Sequence, residues 1–522
     1  MDRSATMEFG MEPATDKAAA PAAGVMREAL AFAAAGVLIH LFNGGYGYFR
    51  DELYVLDCGR HLDWGYVDHA PLIGWLAWLG AHTIGISLFA IHLPPALAAG
   101  AKILLTGLLV RELGGGRFAA ALACLSVLVA PVYLAIDSMF SMNTFEPLFW
   151  MGGAWVLIRA VRRDEPQLLP WFGVLMGLGL LNKHSTAFFG AAVAAGLVLS
   201  PQRRWLRTRW PWIAAAVALA LFLPNLIWQQ QHNWPTLEDL ANVRRTHKNV
   251  ELGPAAFIAR QLLVMLPFSA PVWLAGAWYF GFHREGRRYR LLGWTFAIFF
   301  AVLLALKGKD YYVAPAYPMM FAAGAVWWER WGRPWMRYSL AGLVAAGGVL
   351  LAPVALPLLP PQQYIAYSAA LGMRRERLKS EVGHVGPLPQ DLGDRFGWPE
   401  LVETVARVYW GLSPEERAKA GILTGNYGEA GAINLFGPRY GLPRAVSGHQ
   451  TYYYWGPGGY TGEVLIMLQM RRATAERLCT SVEDGPAVGH PLGMGEEHFR
   501  ILVCRGLKEP LAQAWPRFKH WN

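Results

Sequence analysis

Asp51 and Glu52 stand side by side where the first long apolar segment, residues 28–46, gives way to a polar loop. A pair of carboxylates is costly inside hydrocarbon and tolerable at its edge, so the placement points to chemistry at a membrane surface. A carboxylate there can take a proton from an acceptor hydroxyl or amine, which is the work of a general base. The plainer alternative is a helix N-terminus at the water interface, where acids favour the positive end of the dipole. The same loop continues through Tyr54, Asp57, His61 and Asp63 into Trp64-Gly65-Tyr66-Val67-Asp68-His69-Ala70-Pro71-Leu72, denser in acids, histidine and aromatics than a connector requires. His69, beside Asp68, is a candidate donor to a lipid phosphate.

The elements that must position these residues follow from composition. Of 522 residues, 54% are hydrophobic and only 16% charged, with 23 Trp and 25 Phe, far more apolar surface than one soluble core needs. The chain reads as a mainly α, polytopic membrane protein. Its net charge of +10 resides largely in short Arg clusters between apolar segments, not on one basic face, which argues against a nucleic-acid partner. Residues 1–27 are Ala/Pro-rich and mixed in charge, and read as a disordered cytoplasmic tail, not a cleaved signal peptide.

Apolar stretches at 28–46, 87–110, 118–136, 141–158, 168–182, 185–200, 211–228, 256–281, 291–306, 311–328 and 337–357 give about eleven transmembrane helices. Arg gathers in every second connection: Arg111 and Arg117; Arg159, Arg162 and Arg163; Arg203, Arg204, Arg207 and Arg209; Arg284, Arg287, Arg288 and Arg290; Arg330, Arg333 and Arg337. The positive-inside bias makes these loops cytoplasmic. Segment 71–85 is apolar but short and reads as interfacial or re-entrant. An odd number of crossings then leaves 358–522 outside. There, short strands at 421–424, 463–468 and 499–503 alternate with helices at 429–436 and 473–479, as in a small soluble α/β domain.

The outward connections hold the remaining candidates. Asp137 ends the span 118–136, and Asn143 and Glu146 lie inside the next apolar stretch, where an ionisable group faces a cavity or a partner or bonds a neighbouring helix as packing glue. Lys183 and His184 occupy a third outward end, and Lys307, Lys309, Asp310, Tyr311 and Tyr312 a fourth. Terminal lysines ordinarily snorkel to headgroups; lysines on this side also depart from the positive-inside bias, as a phosphate-bearing substrate would explain. The 229–255 loop reads as an amphipathic surface helix. In the tail, 425–431 has GxxGxxG spacing without the context of a dinucleotide site, and reads as a turn and helix cap. Segment 447–457 suits a sugar-binding surface or a packed loop. Cys479 and Cys504 can pair if this domain lies in an oxidising compartment.

Asp51-Glu52, WGYVDHAPL, DSMFSMNTFEPLFW, LNKHS, PNLIWQQQHNWPT and KGKDYYVAPAYP, in this order over residues 28–357, resemble bacterial membrane glycosyltransferases of the C-type fold, related to protein O-mannosyltransferases and the lipid A aminoarabinose transferase. The resemblance implies transfer of a sugar from a polyprenyl-phosphate carrier to an acceptor lipid, polysaccharide or protein on the periplasmic face of the inner membrane. Asp51 then matches the catalytic base of the first loop, with Glu52 beside it, and Asp137 the second outer acid. Asp68-His69-Ala70-Pro71 falls where relatives carry an acid, a phosphate-contacting Lys and two prolines; His and Ala replace Lys and the first Pro, and Lys183, Lys307 or Lys309 can supply the charge.

The implied reaction is a single inverting displacement with the departing phosphate met by cations and Tyr hydroxyls. It requires no cofactor or metal, and leaves room for a divalent ion at Asp51, Asp68 or Asp137. The competing reading is a transporter or flippase of a polyprenyl-linked or other amphipathic substrate. Transporters, however, gather their polar residues near the bilayer midplane, not at the outer helix ends.

Overall fold

The computed structural model describes residues 19–42, 45–373 and 386–521. The expected tail over 1–27 lies outside them up to residue 18; from Ala19 the chain is already helical.

The membrane part begins with α1 (Ala19–Leu41), α2 (Arg50–Arg60), α3 (Leu72–Thr83), α4 (Leu88–Glu112), α5 (Arg117–Val129), α6 (Pro131–Ile136), α7 (Met142–Arg163), α8 (Leu169–Asn182) and α9 (Thr186–Val198). It continues through α10 (Trp210–Gln231), α11 (Pro235–Arg245), α12 (Pro254–Val264), α13 (Ala270–Gly281), α14 (Arg290–Ala305), α15 (Tyr317–Trp331) and α16 (Pro334–Ala355). Each of the eleven apolar stretches contains helix, with 118–136 and 256–281 each divided between two. Among the described residues, five helices are long and apolar enough to cross a membrane, and a sixth crossing results if 254–264 and 267–281, bent by 91°, count as one. The 12-residue α3 is too short to cross.

The five Arg clusters meet at one end of the bundle. Arg162 pairs with Glu112 (2.9 Å), Arg204 with Asp164 (2.6 Å) and Arg330 with Glu285 (2.5 Å). Gln202 donates to the Arg288 carbonyl (3.1 Å), and the Gly116 N–H to Glu329 (2.6 Å).

After α17 (Pro361–Ala370), the chain forms a small α/β domain with α18 (Trp398–Gly411), α19 (Tyr427–Phe436) and α20 (Arg472–Leu478). Its strands are β1 (Ala420–Thr424), β2 (Ala445–Ser447), β3 (Val464–Met467), β4 (Cys479–Val488) and β5 (Phe499–Leu507), in the order β2-β1-β3-β5-β4. β1 runs parallel to β2 and β3, whereas β5 is antiparallel to β3 and β4. The central strands are apolar and buried on both faces, as helix-covered strands must be. Cys479 and Cys504 form a disulfide between β4 and β5.

Candidate active site

Two constellations form at the end of the bundle away from the Arg clusters. The first is built on α2. Adjacent helical residues point about 100° apart, so only one of Asp51 and Glu52 can face the core. Glu52 does: it is fully buried, accepts the N–H groups of Phe49 (2.8 Å) and Phe140 (2.7 Å), and meets His92 Nε2 of α4 at 2.9 Å. Asp51 faces out, with 44% of its side chain exposed, Arg50 Nε at 3.8 Å and the Tyr427 hydroxyl donating to its Oδ1 at 2.8 Å. The pair of acids therefore separates into a buried tie between α2, α4 and the α6–α7 link and an accessible carboxylate on the rim.

The rest of α2 is a seam with the C-terminal domain. The buried Asp57 carboxylate meets Arg60, Asn434 Nδ2 (2.6 Å) and the Tyr452 hydroxyl. The Tyr54 hydroxyl bonds Asp68 Oδ1 (2.8 Å) and Thr451 Oγ1 (2.6 Å), and the Val67 N–H also donates to Thr451 (3.0 Å). Arg395, fully buried, donates to the Ser138 carbonyl (3.1 Å) and hydroxyl (2.8 Å) between α6 and α7. α11 closes over the same region: Asp239 accepts from Gln450 (3.1 Å), and burial, reinforced by the charge of Asp68, pushes its carboxyl up to about 6. On the domain side, burial pushes Glu497 up to about 7.

The second constellation joins residues 143, 146, 183, 311 and 312. α8 stops at Asn182 because Lys183 is extended and Asn182 Nδ2 donates sideways to the Met142 carbonyl (2.9 Å). The break aims Lys183 Nζ at Asn143 Oδ1 (2.8 Å) and Glu146 Oε2 (2.9 Å), 4.4 Å from the Tyr312 ring centroid and 6.0 Å from that of Tyr311. Ser185 donates to the other oxygen of Glu146. An ammonium has three donors; two are used, and the side chain is 15% exposed. Asp310, next to the tyrosines, is held by Arg260 (2.7 Å). His184 meets Asn225 Oδ1 (3.2 Å), and Asn225 Nδ2 donates to the Trp64 carbonyl (2.7 Å), which ties this constellation to the first loop.

The remaining expected residues lie elsewhere. Asp137 is buried and ion-paired with Lys102 of α4, so it is not brought to Asp51. His69 is 3% exposed, with Nδ1 on the Ala70 carbonyl (2.9 Å), and is walled in by Tyr54 and Tyr66 instead of facing a lipid phosphate. Lys307 forms an exposed pair with Glu251 (2.6 Å), and Lys309 lies one residue before the short helix Asp310–Ala316. Asp51, Asp68 and Asp137 each bond a different partner, and among the described residues no three His, Cys, Asp or Glu converge as a metal cage.

Sequence reasoning passed over His92 and Lys102, polar residues inside the apolar stretch 87–110, where an ionisable group in a span is itself the signal of a buried partner. It also passed over Arg395, and it placed Tyr427 only in a turn and helix cap and Thr451 and Tyr452 only in a sugar-binding surface or packed loop, because the importance of these residues depends on which domain they touch.

Residues 68–228 match the family model described as dolichyl-phosphate-mannose-protein mannosyltransferase. The lipid A galacturonosyltransferase RgtD of Rhizobium johnstonii is 28% identical over 240 residues, covering 43% of this chain and 48% of that protein. The chain thus matches about half the length of this curated relative. Among solved structures, ArnT from Cupriavidus metallidurans bound to undecaprenyl phosphate aligns with a TM-score of 0.56 at 14% identity, covering 91% of this chain and 97% of that one. Its apo state gives 0.54 at 14% identity, covering 92% and 98%. These likenesses bear out the resemblance to C-type membrane glycosyltransferases, and the fold extends through the C-terminal domain.

Proposed function

We propose, from the fold shared with ArnT and the partial match to RgtD, that this chain transfers a sugar from a polyprenyl-phosphate carrier to a lipid A-type acceptor at the periplasmic rim of the inner membrane. The observation that carries this reading is that the end of the bundle away from the Arg clusters holds both an accessible carboxylate, Asp51, and a largely buried ammonium, Lys183, with two of its three donors used. Asp51 takes the proton of the acceptor hydroxyl as its oxygen attacks the anomeric carbon. The bond from that carbon to the phosphate oxygen breaks, its electron pair leaves with the polyprenyl phosphate, and the configuration inverts. Lys183 and the hydroxyls of Tyr311 and Tyr312 meet the charge that grows on the phosphate. Glu52 and Asp137 are read as structural, because their oxygens are committed to buried partners.

The test is transfer by the purified full-length protein in detergent from radiolabelled undecaprenyl-phosphate pentose, hexose and uronic acid to lipid A. Label is expected to reach lipid A from at least one donor, with inverted configuration. Failure with every donor overturns the assignment.

Lys183→Met removes the ammonium while keeping the apolar stem. It is expected to lower kcat/KM by about 10- to 100-fold, the size of a lost charge-assisted hydrogen bond. Lys183→Arg, whose planar fork cannot copy a point charge, is expected to restore only part of it. Wild-type kcat/KM in Lys183→Met removes Lys183 from the donor site.

Sidedness is supported by the gathering of the Arg clusters at one end and by the Cys479–Cys504 disulfide, a bond of oxidising compartments. In intact cells, a cysteine at Ser481 is expected to react with a membrane-impermeant maleimide and one at Arg204 to be protected. The reverse pattern inverts the topology.

A further inference from the structure

We infer that the C-terminal domain completes the catalytic site, with Tyr427 as the positioning residue that holds the Asp51 carboxylate, an inference that rests on Asp51 being the base. The Tyr427 hydroxyl donates to Asp51 Oδ1 at 2.8 Å from a position 376 residues further along the chain. A carboxylate with 44% of its side chain exposed has little else to fix its rotation. With one oxygen tied to the phenol, the other can be directed at an acceptor hydroxyl, and proton transfer depends on that aim.

The phenol is itself rigidly set. Its ring stacks on Tyr54 (centroids 4.9 Å apart, planes at 30°) and on His449 (4.9 Å, 21°), and its own N–H donates to His449 Nδ1 at 3.3 Å. The Arg50 guanidinium lies 5.5 Å from the ring centroid. Two charged groups of the domain face Arg50 in turn, Asp394 at 3.7 Å and Glu496 at 3.9 Å, so the arginine is shared between Asp51 and the domain.

The three glycines of 425–431 explain how the ring gets there. A Cβ at Gly425 would lie 2.6 Å from Gln469 Cβ, one at Gly428 2.4 Å from Arg50 Cγ, and one at Gly431 2.7 Å from the Leu53 carbonyl carbon. A real Cβ does not tolerate such contacts. Gly431 therefore lets α19 come close to the backbone of α2 and Gly428 leaves room for the Arg50 side chain, so that Tyr427, at the first position of α19, lands on Asp51. The glycine spacing is a packing device that brings one helix to another, not a phosphate cradle.

The experiment uses the full-length protein in detergent, undecaprenyl-phosphate galacturonic acid as the donor probe and lipid A as acceptor. Tyr427→Phe keeps the stacked ring and deletes only the donor. We expect kcat to fall by about 10-fold with the donor KM within about 2-fold of wild type, because the bond acts on the base and not on the donor. In single-turnover measurements on the residual rate of Asp51→Asn, adding Tyr427→Phe is expected to cost less than about 2-fold more. Wild-type kcat in Tyr427→Phe overturns the inference, and so does an equal fall in both backgrounds, which marks a general disturbance of the docked domain. Wild-type transfer by Asp51→Asn is a separate result: it removes the base assignment, and the role of Tyr427 with it.

Discussion

Asp51→Asn is expected to lower kcat by about 10²- to 10⁴-fold, the span covered by a general base, while leaving the fold and the donor KM close to wild type. The fold is spared because Asp51 is half-exposed and its hydrogen bond comes from Tyr427, which the amide oxygen of Asn still accepts. Donor binding is spared because the phosphate is assigned to Lys183 and its tyrosines, not to α2. Initial rates against donor concentration, paired with thermal melting of the purified protein, separate the two quantities. An Asn variant that transfers as fast as wild type removes Asp51 from the mechanism.

Glu52→Ala, one residue away, is expected to do the opposite. The substitution strands the N–H groups of Phe49 and Phe140 and the ring of His92 in a buried site. Each stranded buried group costs about 1–3 kcal/mol, so a loss of about 3 kcal/mol or more is expected, seen as a lower melting temperature and reduced yield before any kinetic effect. Burial pushes the Glu52 carboxyl up, but His92 beside it, helped by the charge of Arg395 and by the Phe140 N–H, outweighs burial and holds it below the ordinary value of 4.5. A carboxyl held lower in the folded than in the unfolded state binds fewer protons when folded. Its contribution is therefore complete above pH 4.5 and is lost as pH falls through the lower folded value. Glu52→Gln is expected to show a shallower loss of melting temperature on acidification below pH 4.5 than wild type. Equal slopes would mean that Glu52 does not anchor α2.

The contrast between these neighbours shows where sequence reading runs out. Apolar runs, Arg clusters and the change of pattern after residue 358 made the helices and the small α/β domain legible, because each is a local signal about a dozen residues or more in length. β1, β3 and β5 were legible as short apolar blocks bounded by turns. β4 was not: it lies at the sheet edge, is mostly exposed, and shifts register between Asp484 and Ala487, so it carries no clean alternation. β2, at three residues, is shorter than any pattern window.

Within the site, Asn143, Glu146, Lys183, Tyr311 and Tyr312 each stood out as polar groups at outward helix ends. Their convergence on one ammonium required the packing of α7 against the break between α8 and α9. Which of Asp51 and Glu52 faces inward likewise turns on His92, which lies within an apolar stretch and contributes nothing to a hydropathy profile. Asp137 carried the same outward signature as Asp51, yet Lys102, equally silent in that profile, claims it.

The separation of 376 positions from Asp51 to Tyr427 also sets an order of events during synthesis. α2 emerges from the ribosome soon after α1, whereas the domain that reaches back to it follows only after the helices through α17 have been made. A chain caught before residue 427 has been made can have its early helices lodged in the bilayer, but it has no phenol to hold the Asp51 carboxylate.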